Sequence, residues 1–264
     1  MPVHRFAELT WEEVRDVSGA DAVAILPVGA LEAHGPHLPL GTDVIIAEAM
    51  ASSCARRLDR EDRTVLLLPP LWYTAAPFAG NFPGTVSVDA ETVRTLVLQI
   101  ARSLKEQDLT TLAIANAHLD PTHLRALRRA GDDAPGGVRV VFVDLTRRRV
   151  AERLTDEFRT GACHAGRFEG SVVLAEAPDL FRAGIAAGLE PNPSSLSEAI
   201  GEGVETFEEA GGSRAYFGWP ADATAEEGRE TVETLGALLA EAILAGQGHD
   251  VPDVSSRPSR GASS

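Results

Sequence analysis

The chain has 264 residues, 44% of them hydrophobic and 24% charged, with a formal net charge of −15. Such a length buries a sizeable core without disulfides or a structural metal, and such acidity argues against nucleic acid or an anionic membrane surface as partner. Cys54 and Cys163 are too few for a disulfide framework, so a cytoplasmic location is expected; the start "MPVHRFAELTWEEV" lacks the apolar stretch of a signal peptide, and no apolar run nears the roughly 20 residues of a membrane span.

In chain order, "AVAILPV" (22–28) is a continuous apolar run of strand length, followed by a helix over 43–58 and a second buried-strand candidate, "TVLLLPP" (64–70). An amphipathic helix follows over 89–107, capped by Asp89. "TLAIANA" (111–117) is a third strand, and "PTHLRALRRAG" a helix with Pro121 in its first turn. A fourth strand spans 138–145, a helix 146–158 and a long helix 223–246, with a surface excursion over 189–203. Continuous apolar strands alternating with helices predict an α/β fold with a parallel sheet covered on both faces. No linker divides the chain, so 1–249 is read as a single domain and the polar segment 250–264 as a disordered tail.

Ligands of open parallel sheets bind beyond the carboxyl ends of the strands. At one such end stands "GALEAHGPHLPLGTD" (29–43), in which Glu32 and His34 are two apart and leave the same face of an extended backbone. Asp43 begins the next helix, where it either caps that helix or binds a metal. The strand over 111–117 leads into "HLD", where His118 and Asp120 repeat the two-residue spacing. Histidine and carboxylate at two strand ends, with a further aspartate, are the ingredients of a paired divalent-metal site with ions about 3.5–4 Å apart. Nitrogen and oxygen donors suit zinc, manganese or ferrous iron. A third cluster, "CHAGRFEGSVVLA" (163–175), offers His164 and Glu169 from a loop and a first helical turn, and the "FPGT" turn beginning at Phe82 is read as a pocket wall.

The run "ILPVGALEAHGPHLPLGTD", with "FPGTVS", "NAH", "HAGRFEGS" and "GWPADATAEEG" in order, resembles the creatininase (creatinine amidohydrolase) family over about residues 20–245. The resemblance implies a Rossmann-like three-layer fold, a mainly parallel sheet, a small-molecule substrate, two divalent metals per chain and a homo-oligomer. It makes Glu32, Asp43 and His118 the ligands of one metal and His34 and Asp43 those of the second, with Asp43 as bridge. The second site's remaining carboxylate is Glu169 in the common pattern, or Asp120 at the position used by creatinine-hydrolysing members. His164 matches the proton shuttle, and Glu169 joins it as a catalytic candidate. His37 is read as a supporting or structural histidine. His123 is a support or substrate contact, and Arg167 either pairs with a substrate anion or lies on the surface.

The chain also departs from that pattern. The family's "NGHGGN" reads "NAHLDP", Ala33 replaces a glutamine, Phe78-Ala79 replaces a Glu-His pair, and tryptophan occurs only as Trp11, Trp72 and Trp219, so the mid-chain tryptophan lid of creatinine-cleaving members is missing. The expected activity is therefore metal-dependent hydrolysis of an amide-type C–N bond other than creatinine's: a cyclic amide, formamide, ureide or small peptide. The alternative is a non-catalytic member that keeps its metal and serves as a binding or assembly subunit. A dinucleotide-binding reading fails because the first strand leads into "GALEAHG" rather than a glycine-rich phosphate turn.

Overall fold

The computed structural model describes residues 3–61 and 63–246; the tail expected over 250–264 lies outside the described residues. Five strands, β1 (Val3–Arg5), β2 (Val23–Val28), β3 (Val65–Leu67), β4 (Thr111–Asn116) and β5 (Arg139–Phe142), form one parallel sheet in the order β1-β3-β2-β4-β5. Among the described residues the helices are α1 (Trp11–Val17), α2 (Thr42–Asp59), α3 (Ala90–Lys105), α4 (Pro121–Asp132), α5 (Arg148–Ala151), α6 (Asp156–Thr160), α7 (Arg167–Glu176), α8 (Ala183–Ala186), α9 (Leu196–Gly201) and α10 (Ala225–Leu244). No helix of the described residues is long and apolar enough to cross a membrane.

Alternation of side chains along β2 divides the core. Val23 and Ile25 pack with α2, α7 and α10, whereas Ala24, Leu26 and Val28 pack with α3 and α4. Residues 112–115 of β4 split the same way, Ala113 and Ala115 to the first layer and Leu112 and Ile114 to the second. Burial on both faces is why these strands read as unbroken apolar runs, and it yields the three-layer α/β fold. In the β2–β4 ladder Val28 pairs with Asn116, so both strands end at one level and hand residues 29–34 and 117–120 to the same rim.

Several expected elements differ. The helix expected over 146–158 is two short helices, α5 and α6, because the Thr155 side chain accepts from Phe158 N and starts a new helix there. The strand expected over 64–70 ends at Leu67, before Pro69 and Pro70, which cannot donate to a ladder. Asp89 occupies the N-cap position of α3, but its side chain makes no capping hydrogen bond. The edge strand β1 and helix α1, the latter closed by a Thr10–Glu13 capping box, lie in a stretch that carried no apolar run.

Candidate active site

The site is assembled from the rim and two helix starts. Glu32 and His34 follow β2, His118 follows β4, Asp43 lies in the first turn of α2 and Glu169 in the first turn of α7; all five are buried. The N-cap of α2 is Gly41, so the Asp43 carboxylate is free of capping duty and faces inward. Its Oδ1 lies 3.1 Å from His34 Nε2, and its Oδ2 3.0 Å from His118 Nδ1. Glu32 Oε1 stands 3.3 Å from His118 Nδ1 and 3.8 Å from His34 Nε2, and Glu169 Oε2 stands 3.6 Å from His34 Nε2. Ala165, at φ 50°, holds the left-handed backbone between His164 and α7, and its N–H donates to Glu169 Oε2 at 2.6 Å. Such a conformation costs an alanine on the order of 1 kcal/mol.

Three imidazoles are oriented alike. His34 Nδ1 contacts the Glu32 carbonyl at 3.1 Å, His118 Nε2 the Ala75 carbonyl at 2.8 Å and His164 Nε2 the Ala33 carbonyl at 2.9 Å. A carbonyl oxygen only accepts, so each of these outer nitrogens carries a proton and each inner nitrogen is left facing the carboxylates, where it either holds a second proton or gives its lone pair to a cation. Metal-ligating histidines are held in this way. Glu32 Oε2 and Asp43 Oδ2 are buried and take no hydrogen bond. Lone pairs facing buried carboxylates are tolerable only with positive charge between them. One oxygen or nitrogen each from Glu32, Asp43 and His118, and likewise from His34, Asp43 and Glu169, lie within 4.8 Å of one another, as do those of Glu32, His34 and His164. The first two groups share Asp43, and the donor set fits a pair of divalent cations.

The electrostatics report the same demand. Burial alone would depress His34, but Asp43, Glu169 and Glu32 outweigh it and lift its pKa to about 10. His118 is likewise held high against burial by Glu32 and Asp43. Asp43, despite burial, is held well below the usual carboxylate range by His34 and His118. Glu169 is pushed up to about 8 by burial, with His34 opposing and Asp43 reinforcing the shift. His164 is depressed well below its ordinary value by burial and by His34, which keeps it a neutral proton acceptor. Its Nδ1 sits 3.9 Å from Glu32 Oε1, and its ring lies on Phe207 with centroids 4.2 Å apart.

The remaining expected site residues separate. Asp120 lines the cavity, but its Oδ1 accepts from Thr122 N at 2.7 Å and His123 N at 3.3 Å, so the carboxylate caps α4 and falls outside the three ligand groups. His123 is buried beneath His118, ring centroids 4.9 Å apart, with Nε2 on Asn116 Oδ1 at 2.8 Å. Arg167 turns away from the cluster, its Nε donating to Glu227 Oε1 at 3.1 Å. Phe82 packs on Phe207, 6.4 Å between centroids, and does not line the cavity; its turn contributes Thr85, whose hydroxyl accepts from Ala33 N at 3.1 Å. His37 is buried edge-on to Phe181 and Tyr216 with both ring nitrogens unpartnered, and burial pushes its pKa down to about 4.

Two contributors lie outside the set expected from the sequence. Asn116 donates to the His118 carbonyl at 2.7 Å while accepting from His123, bracing the loop that bears His118; the "NAH" triplet marks its place. Phe207 comes from an irregular segment after α9 and is recognisable only from its stacking. Cys163 lines the cavity beside His164, but burial lifts its thiol to about 12, which leaves no thiolate for nucleophilic attack.

The family model described as creatinine amidohydrolase matches residues 7–243. The chain is 33% identical over 191 residues to a creatinine amidohydrolase of Pseudomonas putida, covering 66% of this chain and 72% of that protein. It is 35% identical over 214 residues to a mycofactocin precursor peptide peptidase of Mycobacterium ulcerans, covering 78% of each. A solved structure titled as a manganese creatininase overlays with a TM-score of 0.66 at 26% identity, covering 92% of this chain and 98% of that one. With the parallel sheet, the strand-end histidines and a match spanning nearly the whole chain, this protein belongs to the creatininase family and is an amidohydrolase.

Proposed function

We propose that this amidohydrolase is metal-dependent, cleaving an amide-type C–N bond of a small molecule other than creatinine. Two divalent cations (zinc, manganese or iron) per chain are held by Glu32, Asp43 and His118 and by His34, Asp43 and Glu169, with Asp43 shared. The observation that carries this reading is the set of inward-facing nitrogens of His34 and His118, their outer nitrogens fixed on carbonyls, against buried carboxylates, two of whose oxygens have no hydrogen bond. When bound, such cations acidify a water and polarise the scissile carbonyl.

The chain's own residues do the rest. His164, neutral and with Nε2 fixed on the Ala33 carbonyl, offers Nδ1 to take a proton from the attacking water and return it to the leaving nitrogen. Glu169, the other candidate for that transfer, is taken up by ligation of the second cation, which leaves His164 to move the proton. Asp120 and His123 brace the His118 loop rather than ligate, and Phe207 fixes the plane of His164.

Creatinine is disfavoured because no tryptophan lines the cavity: Trp11 and Trp72 are exposed, and Phe78 and Phe207 form the wall instead. The two curated relatives named above act on different amides by their own names, which is consistent with a family whose substrates vary. We also read residues 1–249 as one unit, a homo-oligomer, and cytoplasmic, the last supported by two free cysteines. Elemental analysis of the wild type beside Asp43→Ala tests the reading, together with turnover of an amide panel. Two metals per chain that are lost in the variant along with turnover support it. No metal after reconstitution, or metal with no hydrolysis of any amide, overturns it in favour of a non-catalytic binding subunit.

A further inference from the structure

We infer that the substrate is electrically neutral beside its scissile amide and carries a compact apolar group there; the inference rests on the hydrolytic reading and adds the substrate's charge class to it. The cavity next to the carboxylate cluster measures about 80 Å³. Its lining joins the cluster to the apolar side chains of Phe78, Leu119, Leu196, Ile200 and Phe207. Its charged lining is acidic or imidazole: Glu32, Asp43, Asp120 and Glu169 beside His118 and His164, with no lysine or arginine among the lining residues.

Charge decides the class. Two divalent cations carry four positive charges; the three carboxylates of the cluster and the neighbouring Asp120, which lines the cavity while capping α4, offset them, so no surplus remains to pair with a substrate anion. Arg167, the nearest sequence candidate for that task, is engaged by Glu227 and opens onto a separate depression with Asp156, Asp222 and Trp219. A carboxylate or phosphate beside the scissile bond would lose its water against Phe78, Leu196 and Phe207 and meet no counter-charge. A neutral group loses far less and still finds hydroxyls, because Ser197 of α9 and Thr146 both line the cavity. Apolar walls with few polar handles also favour an alkyl or aryl group over a polar one.

The test uses matched pairs that differ only in charge: N-formyl-leucinamide beside N-formyl-leucine, and N-formyl-phenylalaninamide beside N-formyl-phenylalanine. In each, the formyl C–N bond breaks, the oxygen of water joins the carbonyl carbon, and the nitrogen takes up a proton, giving formate and the amine. Turnover of the metal-loaded protein and ligand-induced thermal shift are read in parallel. The carboxamides are expected to bind and to exceed the carboxylates by about ten- to a hundredfold in kcat/KM. Ile200→Lys, at a half-buried position on α9, is expected to narrow that ratio at least severalfold, while Ile200→Gln keeps it. Carboxylates bound or cleaved as well as carboxamides overturn the inference and leave the hydrolase standing. Carboxamide-only binding with no hydrolysis keeps the inference and removes the hydrolase. Failure of all four compounds to bind, or an unchanged ratio in Ile200→Lys, overturns the inference.

Discussion

Helix α10 and the rim of the sheet meet opposite demands a short distance apart. Along α10 contact is close and two of its carboxylates are paired with arginines, although the Thr231 hydroxyl is buried without a hydrogen bond. A Cβ at Gly228 would lie 1.9 Å from the Ser171 carbonyl oxygen of α7, and one at Gly236 would lie 2.3 Å from Ser53 Oγ of α2. Glu233 bonds both Arg56 and Arg57 at 2.9 Å, and Arg153 pairs with Glu241 at 2.6 Å. Val232, Leu235, Leu239 and Ile243 fill the layer beneath. At the rim, by contrast, three carboxylates are buried among imidazole nitrogens, and two of their oxygens have no hydrogen bond. The seam stabilises what the rim destabilises, and the coupling is direct. Helices α2 and α7, locked by α10, carry Asp43 and Glu169 in their first turns. A site that needs unmet charge must be mounted on elements that cannot relax to relieve it.

The sharpest way to break the rim alone is Asp43→Ala. Turnover and metal content should both vanish, since both groups of candidate ligands share Asp43. Full metal content in that variant would sink the shared-ligand assignment. Next in size, His164→Gln should keep its metals and lower kcat/KM by about 10²–10⁴-fold; loss of metal instead would make His164 a ligand, as its grouping with Glu32 and His34 also permits. Breaking the seam alone, Gly228→Ala should cost about 1–3 kcal/mol by overpacking, which thermal denaturation reads as a fall of roughly 2–4 °C per kcal/mol. A melt identical to wild type would show that α10 can slide and that the seam is not rigid. Asn116→Ala, which removes the brace under His118 without touching a ligand, should weaken metal affinity or turnover by about 10- to 100-fold, measured by chelator competition.

The smallest effect belongs to His37→Phe. Both ring nitrogens are buried without partners, so an apolar ring of similar shape should leave activity intact and stabilise by up to about 1 kcal/mol. The pH dependence has a definite sign. Native His37 has its pKa depressed from 6.5 to about 4, so the unfolded chain binds more protons between those values, and stability falls as pH drops through that window. His37→Phe should flatten this fall relative to wild type. A parallel pair of stability–pH curves from pH 7 to about 4 would mean that His37 has a partner in solution.

How much was legible follows from which signals are local. Strands β2 and β4, buried on both faces, announce themselves as continuous apolar runs, and their termini point to Glu32, His34 and His118. Asp43 at a helix start and Glu169 in the first turn of α7 are equally readable from spacing along the chain. Competing uses of one residue type are not. Asp120 and Glu169 both offer a carboxylate near the rim, and only the fold shows one bonded to the α4 start and the other facing His34. Arg167 likewise has the chemistry of an anion partner, yet its direction along α7 delivers it to Glu227. The α5–α6 break was hidden because Thr155, an acceptable helix residue by composition, acts as a cap there.

By itself, then, the sequence determined the alternation of strand and helix, the family motifs and the residue types gathered at two strand ends, because burial periodicity and motif spacing are properties of neighbours along the chain. Only the tertiary structure decided which nitrogen of each histidine faces the acids, which aspartate caps a helix and which faces the histidines, and that Phe207, far along the chain and in no regular element, lies against His164. Those outcomes depend on carbonyls and rings contributed by distant segments, such as Ala75 to His118 and Ala33 to His164, and they exist once the parallel register sets the ends of β2 and β4 side by side.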